Sequence, residues 1–231
     1  LRFGFGDPDA EIFALSDGEF SGTVANLATS NGGVTGPGSS NGDLGVRGNA
    51  TQTLTGTTDI DNTVSVFDGA GLTLSGAASI TGSEANLNLN GGTFTLDNSA
   101  TSLADRFEDT GSVETRGGGT FALIGNAGGS SETVGFIQLG TSTTTPPNAR
   151  SGALNVQITH NAGASAATVL TFAGITRDSG KATVNFSAQD AGGAMALGTA
   201  GNSPRIFLSA APSLSGAGLL TSSGETGWAS V

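Results

Sequence analysis

The chain has 231 residues, 39 of them glycine, no cysteine, and 19 acids against 8 bases for a net charge of −11. Glycine at about 17% is far above its average usage of about 7%, yet it follows no Gly-X-Y period, so collagen is excluded. Bases scattered singly, with Lys181 the one lysine, argue against nucleic acid and anionic membrane, and the lack of cysteine removes disulfides, thiolate metal sites and cysteine nucleophiles.

In chain order, residues 1–30 carry Asp7, Asp9, Glu11, Asp17 and Glu19 around apolar Phe3, Phe5, Ile12, Phe13 and Leu15. Residues 31–48 read as loop, because Asn31-Gly32-Gly33, Gly36-Pro37-Gly38 and Asn41-Gly42-Asp43 are turn signals in close succession. From Thr51 onward short alternating strands are expected at Thr53-Leu54-Thr55, Val64-Ser65-Val66-Phe67 and Leu72-Thr73-Leu74. The run from Leu87 to Leu96 alternates on both sides of Gly91-Gly92, which describes one strand turning into another. A capped helical turn is expected over 101–109, with Ser102 as N-cap. Strands resume around Phe121, Phe136, Val156, Leu170, Phe186 and Phe207, and residues 141–150, with Pro146-Pro147, read as a surface excursion.

Val, Leu, Ile and Phe are spread evenly along the chain, which indicates a folded protein with a narrow core. Aromatic residues are almost all phenylalanine, 12 against one Trp and no Tyr. Phe lacks a polar handle, so these rings are assigned to the core. No apolar run approaches the ~20 residues that span a bilayer. The chain opens in what reads as a strand, Leu1-Arg2-Phe3-Gly4-Phe5, and stops abruptly after Gly227-Trp228, as a piece of a longer protein would.

Two all-β architectures hold such strands. An antiparallel β-sandwich would use Asn-Gly and Asp-Gly as hairpin turns. A right-handed parallel β-helix, or β-solenoid, would use the same glycines as corners, with each strand pairing one coil up and one coil down. Very short strands and frequent turn signals favour the solenoid, in about ten coils of ~20–25 residues. Residues 1–50 then form an irregular, loop-rich β segment (early coils or a cap). Residues 51–231 form coils that continue beyond both ends in the parent chain. The stack positions are Leu74, Leu87, Leu89, Phe94, Leu96, Phe121, Leu123, Phe136, Leu139, Phe172, Phe186 and Phe207.

An ordered set of short elements resembles the autotransporter-associated β-strand repeat proteins, very large predicted bacterial surface proteins. The set begins with Gly91-Gly92-Thr93-Phe94-Thr95-Leu96-Asp97-Asn98, Asp105-Arg106 with Asp109-Thr110, Gly125-Asn126 and Ser131-Glu132-Thr133-Val134-Gly135. It continues through Leu170-Thr171-Phe172, Ala182-Thr183-Val184-Asn185-Phe186 and Asn202-Ser203-Pro204-Arg205-Ile206 to Ala211-Pro212 and Gly227-Trp228-Ala229. The resemblance covers residues 86–231. It implies right-handed β-helix passengers displayed at the cell surface, usually without enzymatic activity. Residues 1–85 match in texture only, and the loop reading of 31–48 departs from a regular repeat.

Candidate chemistry is sparse. His160, the single histidine, lacks a Gly-x-Ser-x-Gly elbow and reads as a strand-end surface residue. Gly117-Gly118-Gly119 lacks the lysine and serine of a phosphate cradle. Polysaccharide-degrading β-helices need paired carboxylates. The pairs on offer are Asp59 with Asp61, and Asp105, Glu108 and Asp109 around Arg106. The first pair reads equally as a turn, the second as a helical turn whose Arg106 pairs with neighbouring acids. Calcium is a weaker option, through Asp7, Asp9 and Glu11 or through Asp59 and Asp61. Thr-x-Thr at Thr51/Thr53, Thr53/Thr55 and Thr93/Thr95 raises an ice-binding face, which is rejected at this level because such a face needs the pair in the same place coil after coil and the repeats are too irregular.

The expectation is therefore a structural, non-catalytic segment of a large exported, extracellular or cell-surface protein, with no catalytic, cofactor or metal residues assigned. Its partners are neighbouring coils of its own parent chain, with lateral self-assembly into a fibre or layer left open. The alternatives are an adhesin for glycans or other cells and, behind it, a carbohydrate-active enzyme.

Overall fold

A computed structural model describes residues 9–14, 16–21, 43–58, 60, 63–67, 69–82, 85–140, 152–177, 182–198, 201–212 and 229–230. They are all-β, without a helix among them. The strands are β1 (Asp9–Ala14), β2 (Gly18–Phe20), β3 (Asp43–Gly48), β4 (Thr51–Leu54), β5 (Thr63–Phe67), β6 (Gly71–Leu74), β7 (Asn86–Asp97) and β8 (Val113–Ile124). They are followed by β9 (Ser130–Leu139), β10 (Gly152–Thr159), β11 (Thr168–Arg177), β12 (Ala182–Asp190), β13 (Gly193–Met195), β14 (Arg205–Leu208) and β15 (Ala229–Ser230). Among the described residues the pairing is parallel throughout, apart from one antiparallel pair, β12 with β13. The antiparallel pairing that a sandwich requires is thus confined to that hairpin.

Three ladders organise the sheet. The first runs β1–β3–β5, through the opening halves of β7 and β8, to the closing parts of β9 and β11. The second runs β2–β4–β6, through the closing halves of β7 and β8, to β10 and β12. The third joins the opening halves of β9 and β11 to β14. Long strands therefore change ladders partway along.

In β7 the change falls at Gly91-Gly92, the expected corner: Gly91 has φ +85°, and a Cβ on Gly92 would stand 2.5 Å from Cγ1 of Val66. A left-handed backbone and this close approach both favour glycine. Parallel neighbours must be reached by a crossover rather than a hairpin, which sets the long return. Leu54, Leu74, Leu96, Leu123, Ile158 and Ala188 face one another across the second ladder, at returns of 20, 22, 27, 35 and 30 residues.

Period-two alternation turns this register into inward columns. Leu72, Phe94, Phe121, Val156 and Phe186 form one; Leu44, Val64, Leu87, Val113 and Ile137 form another on the first ladder. All are buried. Phe94 lies 5.9 Å from Phe121, its neighbour on the second ladder, and 5.6 Å from Phe107, while Phe121 reaches Phe172 on the third ladder at 5.8 Å.

Ten of the twelve expected stack positions are buried, but Phe136 and Phe207 are 42% and 50% exposed. In β9 the alternation slips, because Val134 and Gly135 are both buried and the next residue, Phe136, turns outward. Gly135 is pressed against the backbone of Thr110 and Gly111, leaving no room for a side chain. Phe207 lies opposite Thr171, while Leu208 takes the place opposite buried Phe172.

Two local expectations are corrected. Within 31–48, residues Asp43–Gly48 form β3, paired on both sides, because Leu44 and Val46 supply an inward face; residues 31–42 lie outside the described residues, as does 141–150. Residues 101–109 form no helical turn. They run as bends and loop, with Phe107 bridging in parallel to Ile80.

Candidate functional site: a buried arginine and a buried glutamate

The helical turn is lost because side chains hold the polar groups of 98–107. Asn98 Nδ2 donates to the Leu103 carbonyl at 3.0 Å, and its Oδ1 accepts the Leu103 N–H at 3.1 Å. The backbone N–H groups of Arg106 and Phe107 both donate to the carboxylate of Glu132, at 3.0 and 2.8 Å to Oε1. Glu132 takes the inward phase of Ser130–Glu132–Val134, so its carboxylate reaches the interior from the next pass of the chain.

Arg106 is fully buried. Its guanidinium donates to Asn98 Oδ1 at 2.9 Å, to the Ala78 carbonyl at 2.5 Å, and to the carbonyls of Thr101 and Gly76 at 2.9 and 3.3 Å. These acceptors come from two separate passes, residues 76–78 and 98–101. Asn126 extends the network, with Nδ2 donating to the carbonyls of Asn98 and Ser99 at 3.1 and 2.9 Å and its backbone N–H to Ser130 Oγ at 2.9 Å. Buried polar groups are costly unless hydrogen-bonded, and here the donors and acceptors answer one another across three passes.

Burial sets the electrostatics. The Glu132 carboxyl is pushed up to about 8 by desolvation, against the pull of the Phe107 and Arg106 N–H groups; Asp105 raises it further and the Arg106 charge lowers it. Desolvation lowers Arg106 from its ordinary value, and the charges of Glu132 and Asp97 oppose that shift. Asp105 is raised by desolvation first, then by repulsion from Asp109 and Glu108.

The acids near Arg106 do not form its ion pair: the guanidinium turns inward to carbonyls, while Asp105 and Asp109 are exposed. Glu108 Oε1 instead accepts the N–H and Oγ1 of Thr110, at 3.3 and 2.9 Å, and so closes a local turn. Perturbed carboxyls are a mark of functional sites, but structural networks perturb them as well. What this network does chemically is satisfy backbone.

His160 directly follows β10, at the strand end as expected, yet it is buried, 4% exposed, rather than at the surface. Its N–H donates to the Gln189 carbonyl at 2.7 Å, and Nδ1 lies 2.9 Å from Thr168 Oγ1, a hydroxyl and not a carboxylate. Gly125 leaves the space for that pair, since a Cβ there would overlap the Thr168 side chain. Gly117, Gly118 and Gly119 form the corner inside β8, packed on Asn90, Ala153 and Gly92. Asp7, Asp59 and Asp61 lie outside the described residues, as do the side chains of Asp9 and Glu11. Among the described residues no three His, Cys, Asp or Glu side chains are grouped to hold a metal ion.

Glu132 and Asn98 were not singled out for chemistry by the sequence reading. The available signal was an acid at an inward position of an alternating strand. No protein-family model, curated protein or solved structure matches this chain.

Proposed function

We propose that the chain is a structural, non-catalytic segment of a large exported cell-surface protein, wound as a right-handed parallel β-helix. The observation that carries this reading is the register. Five parallel pairings keep Leu54, Leu74, Leu96, Leu123, Ile158 and Ala188 in one inward column. Such an array transmits stability from neighbour to neighbour and extends by adding passes, as solenoids do. The strongest buried polar groups, Arg106 and Glu132, are committed to backbone atoms. An acidic, lysine-poor, cysteine-free composition suits an exported protein.

A density map at a resolution that traces the backbone tests the winding. A continuous right-handed spiral supports it; ladders joined by chain reversals sink it. Reducing-sugar release from acidic and neutral polysaccharides tests the absence of catalysis, and release that is lost in Asp105→Ala or Asp109→Ala would replace the structural reading.

A second reading, an adhesin for glycans, draws on exposed Phe136 and Phe207. Aromatic faces at a wet surface suit stacking on sugars. Binding on a glycan array that disappears in Phe136→Ala or Phe207→Ala would favour it.

A further inference from the structure

The outward side of the second ladder has an order that the linear repeats conceal. Thr51, Gly71, Thr93, Thr120, Asn155 and Asn185 lie opposite one another in successive strands. Two residues further on, Thr53, Thr73, Thr95, Ala122, Gln157 and Ser187 do the same. The intervening positions, Leu72, Phe94, Phe121, Val156 and Phe186, are buried, so these two rows share the opposite side, where Thr93 is exposed, the other threonines are half-buried, and Gly71 and Ala122 are buried. Thr-x-Thr itself is complete only in β4 and β7, since Gly71 and Ala122 interrupt the rows in β6 and β8, and amides and a serine stand in β10 and β12. Returns of unequal length still bring Thr51/Thr53, Thr73, Thr93/Thr95 and Thr120 into one two-row lattice.

We propose that this face binds ice. The strand spacing sets Thr53, Thr73 and Thr95 about 4.8 Å apart across the strands, and the pairs Thr51/Thr53 and Thr93/Thr95 about 6.7 Å apart along them. Each threonine sets a hydroxyl, which holds a water as donor and acceptor, beside a methyl that does not. The β-branched side chain has few rotamers, so little order remains to be imposed when a lattice docks.

Two independent features select the partner. The first is charge: in a chain of net charge −11, no Asp, Glu, Lys or Arg occupies either row from β4 to β12. The nearest acids are Asp17, whose Oδ1 accepts the Thr51 N–H at 2.8 Å, Glu19, one strand before Thr53, and Asp97, two residues beyond Thr95. The outward side of the first ladder, by contrast, carries Glu114 and Arg116, paired at 3.4 Å. An uncharged, periodic face fits an uncharged, periodic partner. The second is the absence of an aromatic platform: the phenylalanines of these strands, Phe94, Phe121 and Phe186, are buried. That disfavours a crystalline polysaccharide, which would stack on rings, and leaves ordered water. The proposal does not depend on export or on the handedness of the winding.

The test uses the purified chain, nanolitre osmometry for thermal hysteresis and ice shaping, and uptake into a growing ice hemisphere. Thr95→Tyr and Thr73→Tyr place a bulky ring within the lattice. Thr133→Tyr places the same ring on the exposed side of β9, outside it. Melting curves identify which variants remain folded, and Thr95→Val, which keeps the shape and removes the hydroxyl, stands in if the tyrosines unfold. The expected result is hysteresis and uptake in the parent chain and in Thr133→Tyr, with loss of both in folded lattice variants. No hysteresis or uptake in the parent chain overturns the proposal. So does hysteresis that survives in folded lattice variants. Sedimentation with crystalline cellulose in the absence of ice activity would assign the face to a polysaccharide and likewise overturn it.

Discussion

Glu132 accepts the backbone N–H of Phe107 at 2.8 Å, from 25 residues further along the chain, and that single carboxylate also holds the N–H of Arg106. A side chain here replaces a strand: where the third ladder has not yet formed, the carboxylate supplies the acceptors that a neighbouring backbone would provide. This explains how Arg106 and Phe107, at the buried end of a largely exposed loop, are held without a helix.

Glu132→Ala removes the acceptor for both N–H groups. A buried donor left unpaired costs about 1–3 kcal/mol, so the variant is expected to unfold at clearly lower urea than the parent. Glu132→Gln keeps one carbonyl oxygen in place and is expected to lose less. Equal midpoints for all three proteins would remove the carboxylate from the support of this loop.

The same group links stability to pH. Its folded value of about 8 lies above the ordinary carboxyl value of 4.5, so the folded state holds the proton more tightly than the unfolded chain. That contribution is complete below about 4.5 and is lost as pH rises through about 8. Urea midpoints of the parent are therefore expected to fall relative to Glu132→Gln across this window. A constant difference between the two proteins from acid to alkaline pH would refute it.

Arg106→Met is expected to destabilise strongly, since each buried acceptor left unpaired costs about 1–3 kcal/mol. It leaves the carbonyls of Ala78 and Thr101, and Oδ1 of Asn98, short of a donor. Arg106→Lys keeps the charge but lacks the planar fork that reaches several acceptors at once. Chemical denaturation should place Lys between Arg and Met.

Phe94→Ala empties a site shared with Phe107 and Phe121 and is expected to cost about 3–5 kcal/mol. Phe136→Ala, on an exposed ring, is expected to stay within about 0.5 kcal/mol. Comparable losses at the two positions would contradict the phase slip at Val134-Gly135.

Gly125→Ala forces a methyl into the Thr168 side chain. Overpacking of this kind costs about 1–3 kcal/mol. Thr168→Ala alone should also destabilise, since it removes the partner of His160 Nδ1. The double variant is expected to be more stable than the two single losses added together. Strict additivity would show that the two residues do not compete for space.

The alternation around Gly91-Gly92 identified both halves of β7 and the corner between them, because inward and outward positions differ in chemistry at every second residue. The same rule misplaced Phe136: one buried glycine shifted the phase, and a one-residue slip reverses every side chain beyond it. Arg106 reads from the sequence as part of a helical turn, paired with neighbouring acids. Its burial depends on carbonyls 28 and 30 residues away, which no local pattern carries.

The sequence by itself determined an all-β chain, short alternating strands, glycine at the corners and most of the interior columns, since each follows from side-chain period and backbone freedom within a few residues. Only the tertiary structure decided which strands stand side by side. Returns of 20 to 35 residues set the register. That register brings Glu132 to Phe107, hides Arg106, and aligns Thr53, Thr73 and Thr95, because parallel pairing joins residues far apart in sequence through backbone hydrogen bonds that any side chain permits.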